Sequence, residues 1–157
     1  MVVKKIKAND ILNSHKKEFS YKVVTIKSIT GEEYEVQIQE KLNETKLANL
    51  VSELTTRSEE CKKIGLEFDM ILNIYVLIIK YFTNIKFNNN KVFSKQIEQE
   101  MEFLKALIDM NLLDQILNSF DENSIKDLEK LFDKYPKQMS QITENIAMEE
   151  VIEDADI

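Results

Sequence analysis

Residues 66–82, LEFDMILNIYVLIIKYF, constrain the fold more than any other stretch, because between Met70 and Ile79 only Asn73 interrupts the apolar run. A helix that is apolar nearly all round has no face to offer water, so other elements or lipid must wrap it. A membrane span needs about 20 apolar residues, whereas this run is shorter and bounded by Asp69 and Lys80. The expectation is a central helix, over about 66–82, at the heart of a soluble bundle.

A chain of 157 residues fits one domain and can bury a core without metal or disulfide staples. Two glycines and one proline are too few for the tight turns of a β-sandwich or barrel, so helices must dominate. Cys61, the single cysteine, has no partner for a disulfide within the chain and excludes a multi-cysteine zinc site. The first residues, MVVKKIKANDIL, lack the continuous apolar segment of a secretion signal, and a reducing cytoplasm is the expected location.

The net charge of −7 conceals an asymmetry: residues 1–31 hold seven lysines and two acids, while 144–157 hold six acids and no base. Opposed ends can pair between copies, or both can simply be solvated. Three regions follow: a lysine-rich lead with a short helix (1–19), a single domain (20–143) and an acidic, mobile tail (144–157).

Asn9 or Asp10 is placed to cap a short helix reaching about Lys17. From Ser20 the period changes to two. Tyr21, Val23 and Thr25 alternate with Lys22, Val24 and Ile26, and Tyr34, Val36 and Ile38 with Glu33, Glu35, Gln37 and Gln39, so two strands joined at Thr30-Gly31 give an N-terminal β-hairpin over about 20–39. A two-stranded ribbon is marginal alone, so it docks on the helices or meets ribbons of other copies. Asn43 is a candidate cap, and Leu42 a staple to Leu47, for a helix to about Lys63 with Leu47, Leu50, Val51 and Leu54 on one stripe. Its polar second half, TTRSEECKK, is expected to project or pack loosely, and Gly65 to end it. Asn88-Asn89-Asn90 reads as a loop. Ser94 would cap the next helix, with Ile97, Met101, Leu104, Leu107 and Ile108 on its stripe and a continuation through Leu112 to Phe120, kinked near Asn111. Ile125, Leu128, Leu131 and Phe132 make a shorter amphipathic piece before Pro136, a last helix spans 138–151, and EDADI frays. The fold class is mainly α: a helical bundle around a central apolar helix with an N-terminal β-hairpin.

Catalytic and cofactor signatures are poor. His15, the only histidine, lies among Asn13, Ser14, Lys16 and Lys17 as a solvated residue would. Glu59 and Glu60 beside Cys61 disfavour a reactive thiolate. Glu98, Glu100 and Glu102 occupy alternate helical positions and cannot converge, so they read as a solvated face. The segment from Asp121 fails as a calcium loop, with Lys126 at the turn glycine and Phe132 at the bidentate glutamate. No glycine-rich phosphate loop exists. Arg57 is the only arginine, and the acidic balance disfavours nucleic-acid binding. Neither enzymatic activity nor a cofactor is expected.

The segment YKVVTIKSITGEEYEVQIQEKLNETKLANLVSEL, together with its lysine-rich lead and the later LEKLFDKYPKQMSQI, resembles the tail-assembly chaperones of long-tailed phages of Gram-positive bacteria. The resemblance lies in layout: a ribbon around a TGEEYEV-like turn and an EKL.ET joint into helices. It implies a host-cytoplasmic protein, absent from the mature virion, that coats the tape-measure protein, recruits tail-tube subunits and self-associates. Some members of that family also have a longer frameshifted form. On this reading Leu104, Leu107, Leu112, Ile116, Leu128 and Phe132 line a groove for a partner helix, the alternative for each being plain core. Two other classes fit the composition. One is a small acidic inhibitor of a host nucleic-acid enzyme, marked by a dense acidic face. The other is a lysine-led DNA-binding regulator, marked by salt-dependent binding to duplex.

Overall fold

The computed structural model describes residues 2–155, and the side chains of all of these except 132 and 147–155. The chain is mainly helical, with a two-stranded antiparallel hairpin ahead of most of the helices. Helix α1 (Ala8–Glu18) precedes strands β1 (Tyr21–Lys27) and β2 (Glu33–Gln39). Then come α2 (Glu44–Ile64), α3 (Met70–Phe82) and α4 (Phe93–Asp109). Three short helices, α5 (Leu113–Leu117), α6 (Glu122–Glu129) and α7 (Leu131–Lys134), lead into α8 (Pro136–Ala155).

The central apolar helix is present, but it begins at Met70 rather than Leu66. Asp69 stops the preceding segment from joining it, because its Oδ1 accepts the Leu72 amide at 3.0 Å as an N-cap. Val76, Leu77, Ile78, Ile79 and Phe82 are buried, and α2 and α4 pack against the helix. The hairpin docks on these helices. Val24 pairs with Val36 and Ile26 with Tyr34, which directs Val24, Ile26, Val36 and Ile38 inward. Asn84 fixes the open edge of β2, donating its amide to the Gln37 carbonyl at 3.1 Å and accepting the Gln37 amide through Oδ1 at 2.9 Å. Gly31, with φ of 88°, supplies the left-handed turn.

Two helices end in the same way. Beyond α2 the Leu66 amide donates back to the Cys61 carbonyl at 2.9 Å with Gly65 at φ 70°, and beyond α4 the Leu112 amide donates to the Leu107 carbonyl at 2.8 Å with Asn111 at φ 60°. These six-to-one closures are Schellman motifs, which need a left-handed residue. Asn111 therefore ends α4, where a kink in a continuing helix was expected. A Cβ at Gly65 meets nothing within 4 Å, so Gly65→Ala carries only the backbone penalty. We expect a loss of about 1 kcal/mol, read as a lowered urea midpoint with unchanged slope.

Other local expectations are corrected. Helix α1 starts from Lys7 without a side-chain cap, and α4 from Val92, so neither Asn9, Asp10 nor Ser94 caps. Asn43 precedes α2, but its side chain accepts from Gln39 Nε2 at 2.8 Å and donates to Thr45 Oγ1 instead of capping. Pro136 opens α8 rather than preceding it, as suits a residue whose missing N–H is no loss in a first turn. The tail boundary drawn at 143 falls inside α8, where buried Asn145 donates to Ser58 Oγ at 3.0 Å; residues 156 and 157 lie outside the described residues.

The second half of α2 does not project. Arg57, Ser58 and Cys61 are buried because α8 packs along α2 while α3 and α4 close the other side. Glu100, expected on a solvated face, is 2% exposed for the same reason.

Candidate partner-binding groove

The sheath around α3 is open along one apolar face. Ile71, Ile74, Tyr75 and Ile78 recur at three and four, so they share one face of the helix. Ile71 is 62% exposed, Ile74 and Tyr75 are half-buried, and Ile78 forms the floor. The opposite wall consists of Leu117 at the end of α5 and Ile125 and Leu128 on α6, with Asn118 and Glu129 at the rim. Together they enclose an apolar cleft of about 420 Å³.

Both walls are held from behind. The far side of α3 is core, while α6 is tied to the joint between β2 and α2: the Asp121 amide donates to the Glu40 carbonyl at 3.0 Å, and buried Ser124 Oγ accepts the Leu42 amide at 3.1 Å. Asp121 Oδ1 also accepts the Asn123 amide at 3.0 Å, capping α6. A groove between packed helices, apolar along its length and polar at the rim, has the form that accepts the apolar face of an amphipathic helix.

A larger cleft, about 640 Å³, lies between Lys80, Lys86, Phe87, Lys91 and Glu100. Arg57, Lys80 and Glu100 along it are already paired. Arg57 donates from Nη1 and Nη2 to the two Glu100 oxygens at 2.7 and 2.9 Å, and from Nε to Glu53 Oε2 at 3.2 Å. Lys80 Nζ and the Tyr81 hydroxyl donate to Glu53 Oε1 at 2.5 and 3.2 Å. Two cations therefore meet two carboxylates. Burial alone would pull the Arg57 guanidinium down, but the Glu100 and Glu53 contacts outweigh it and hold its pKa above the ordinary value. Burial, reinforced by Glu53, raises the Tyr81 hydroxyl. The arrangement ties α2, α3 and α4 together. His15 stands on exposed α1, far in sequence from Cys61 in the core. Among the described residues no group of three or more His, Cys, Asp or Glu side chains has a metal-holding arrangement.

Of the residues expected to line a groove, Leu128 borders this cleft. Leu104 and Ile116 are fully buried, and Leu107 and Leu112 nearly so, which makes these four core in this conformation. The side chain of Phe132 lies outside the described ones. Ile71, Ile74, Tyr75 and Ile78 were missed because an all-round apolar helix reads as wholly sheathed. The available signal was the length of its neighbours: breaks at Asn111, Asp121 and Pro136 leave α5 to α7 too short to cover it.

A family model described as YomO matches residues 8–156. The chain belongs to the YomO family. That family is phage-associated, found with Bacillus prophages, which points to a phage origin for this YomO chain. Neither the curated proteins nor the solved structures include a match to it. No helix among the described residues of this YomO protein is long and apolar enough to cross a membrane.

Proposed function

We propose that this YomO protein is a non-catalytic tail-assembly chaperone, which solubilises the phage tape-measure protein in the host cytoplasm and helps recruit tail-tube subunits. The observation that carries the reading is the apolar strip Ile71–Ile74–Tyr75–Ile78, facing Ile125 and Leu128 across an open groove. On the resemblance, the tape-measure protein is long and prone to aggregate. Covering its apolar stripe segment by segment is a task for a small protein with a helix-accepting groove and no need of chemistry. The phage association of the family and the resemblance at residues 20–54 support the same reading.

Co-expression with the tape-measure protein of the same phage genome tests it. The expected result is a soluble, co-eluting pair. Ile71→Asp sets a carboxylate at the groove mouth without touching the core, and it should abolish co-elution while the variant itself stays folded. A tape-measure protein whose solubility is unchanged by the chain, and which never co-elutes with it, contradicts the proposal.

A further inference from the structure

Helix α1 carries an apolar stripe that its own copy leaves bare. Ala8, Ile11, Leu12 and His15 recur at three and four, every residue from 8 to 18 is exposed, and Ile11 and Leu12 are 52% and 64% exposed. Val2, Val3 and Ile6 ahead of it are barer still. A helix of 11 residues is marginal in water unless its face is packed. The stripe therefore needs a surface, and the groove beside α3 is a surface that needs a stripe.

We propose that α1 of one copy docks in the groove between α3 and α6 of a second copy. Spacing and charge select this occupant. The stripe at 8, 11, 12 and 15 repeats the interval of the groove strip at 71, 74, 75 and 78, so the side-chain ridges of one helix match the grooves of the other. Residues 2–18 bring five lysines and two acids, one of which, Glu18, already binds Lys41 at 2.6 Å. The wall they would meet, 112–130, has five acids (Asp114, Asp121, Glu122, Asp127 and Glu129) against Lys126 and Lys130; Asp127 already pairs with Lys134 at 3.7 Å, while Glu129 lines the groove itself. Basic arm and acidic wall attract, which favours correct register between copies. Arm and groove are different patches of one chain, so the contact is head-to-tail unless two copies exchange arms, and a head-to-tail contact builds rings or filaments. On the chaperone reading, leaving of the arm is the step that frees the groove for cargo.

Light scattering on the full chain after size exclusion tests the contact without any tail protein, so its outcome is separate from that of cargo capture. The expected mass is at least that of two copies and rises with concentration. Leu12→Asp, which spoils the arm, and Ile71→Asp, which spoils the groove, should each elute as monomers with unchanged circular dichroism, since both positions are exposed. Mixed together they should form pairs, because one supplies an intact groove and the other an intact arm. A wild-type chain monomeric at every concentration overturns the proposal, as do assemblies that survive either substitution or a mixture that never pairs.

Discussion

Arg57→Ala should be among the most damaging single substitutions in the domain, costing about 3–5 kcal/mol, because it strands a carboxylate that has almost no water. Glu100 is 2% exposed and receives both terminal nitrogens of Arg57. Without them its charge must be hydrated by local opening of the packing. Glu100→Ala should cost somewhat less, since Arg57 keeps Glu53 at 3.2 Å and the Asn73 amide oxygen at 3.4 Å. With a total stability of about 5–15 kcal/mol for a domain of this kind, either variant removes a large share of what holds the fold. Replacing both partners together, as Arg57→Met with Glu100→Leu, should recover most of the loss, because two apolar side chains need no pairing. Urea unfolding of the three variants beside the parent chain reads each loss and the recovery in the double. Losses below about 1 kcal/mol for both singles would mean that the pair behaves as an exposed one.

Phe82→Ala should cost about 3–5 kcal/mol, whereas Ile71→Ala on the same helix should change stability by no more than about 0.5 kcal/mol. Phe82 is 0% exposed at the end of α3, where Lys46 Nζ lies 5.7 Å from its ring centre. Its removal opens a cavity that the surrounding core, built of Leu47, Leu50 and Ile38 among others, can only partly fill. Ile71 has little to lose, because most of its side chain already meets water. Thermal melts of the two variants therefore read the asymmetry of α3 directly. Similar losses at both positions would show the helix to be covered on every side.

The hairpin, the apolar helix and the glycine stop at Gly65 were legible because each rests on local chemistry: alternation in YEVQI, an unbroken apolar run, and the one residue nearby suited to a left-handed conformation. Arg57, Glu100 and Asn145 were not legible. Their burial depends on which helices lie side by side, and α8 comes some 80 residues after the α2 segment it covers. Sequence spacing correctly excluded convergence of Glu98, Glu100 and Glu102 from one helix, yet it carried no information about a cation arriving from another. The candidate groove was misplaced for a related reason. Leu104, Leu107, Leu112 and Ile116 have the periodicity of a binding stripe, but periodicity is equally the mark of core, and only tertiary packing separates the two. What distinguishes Ile71 is the shortness of the helices opposite it, a property of several segments at once.

The most direct measurement of whether the strip on α3 is an open surface that partners cover is the rate at which Ile71→Cys reacts with a water-soluble maleimide. Cys61, 1% exposed, serves as the slow internal reference. In dilute protein the introduced thiol should label far faster than Cys61, and labelling should slow as the protein is concentrated or a partner helix is bound. A thiol at 71 that reacts as slowly as Cys61 at every dilution, or equally fast with its partner present, would contradict the account.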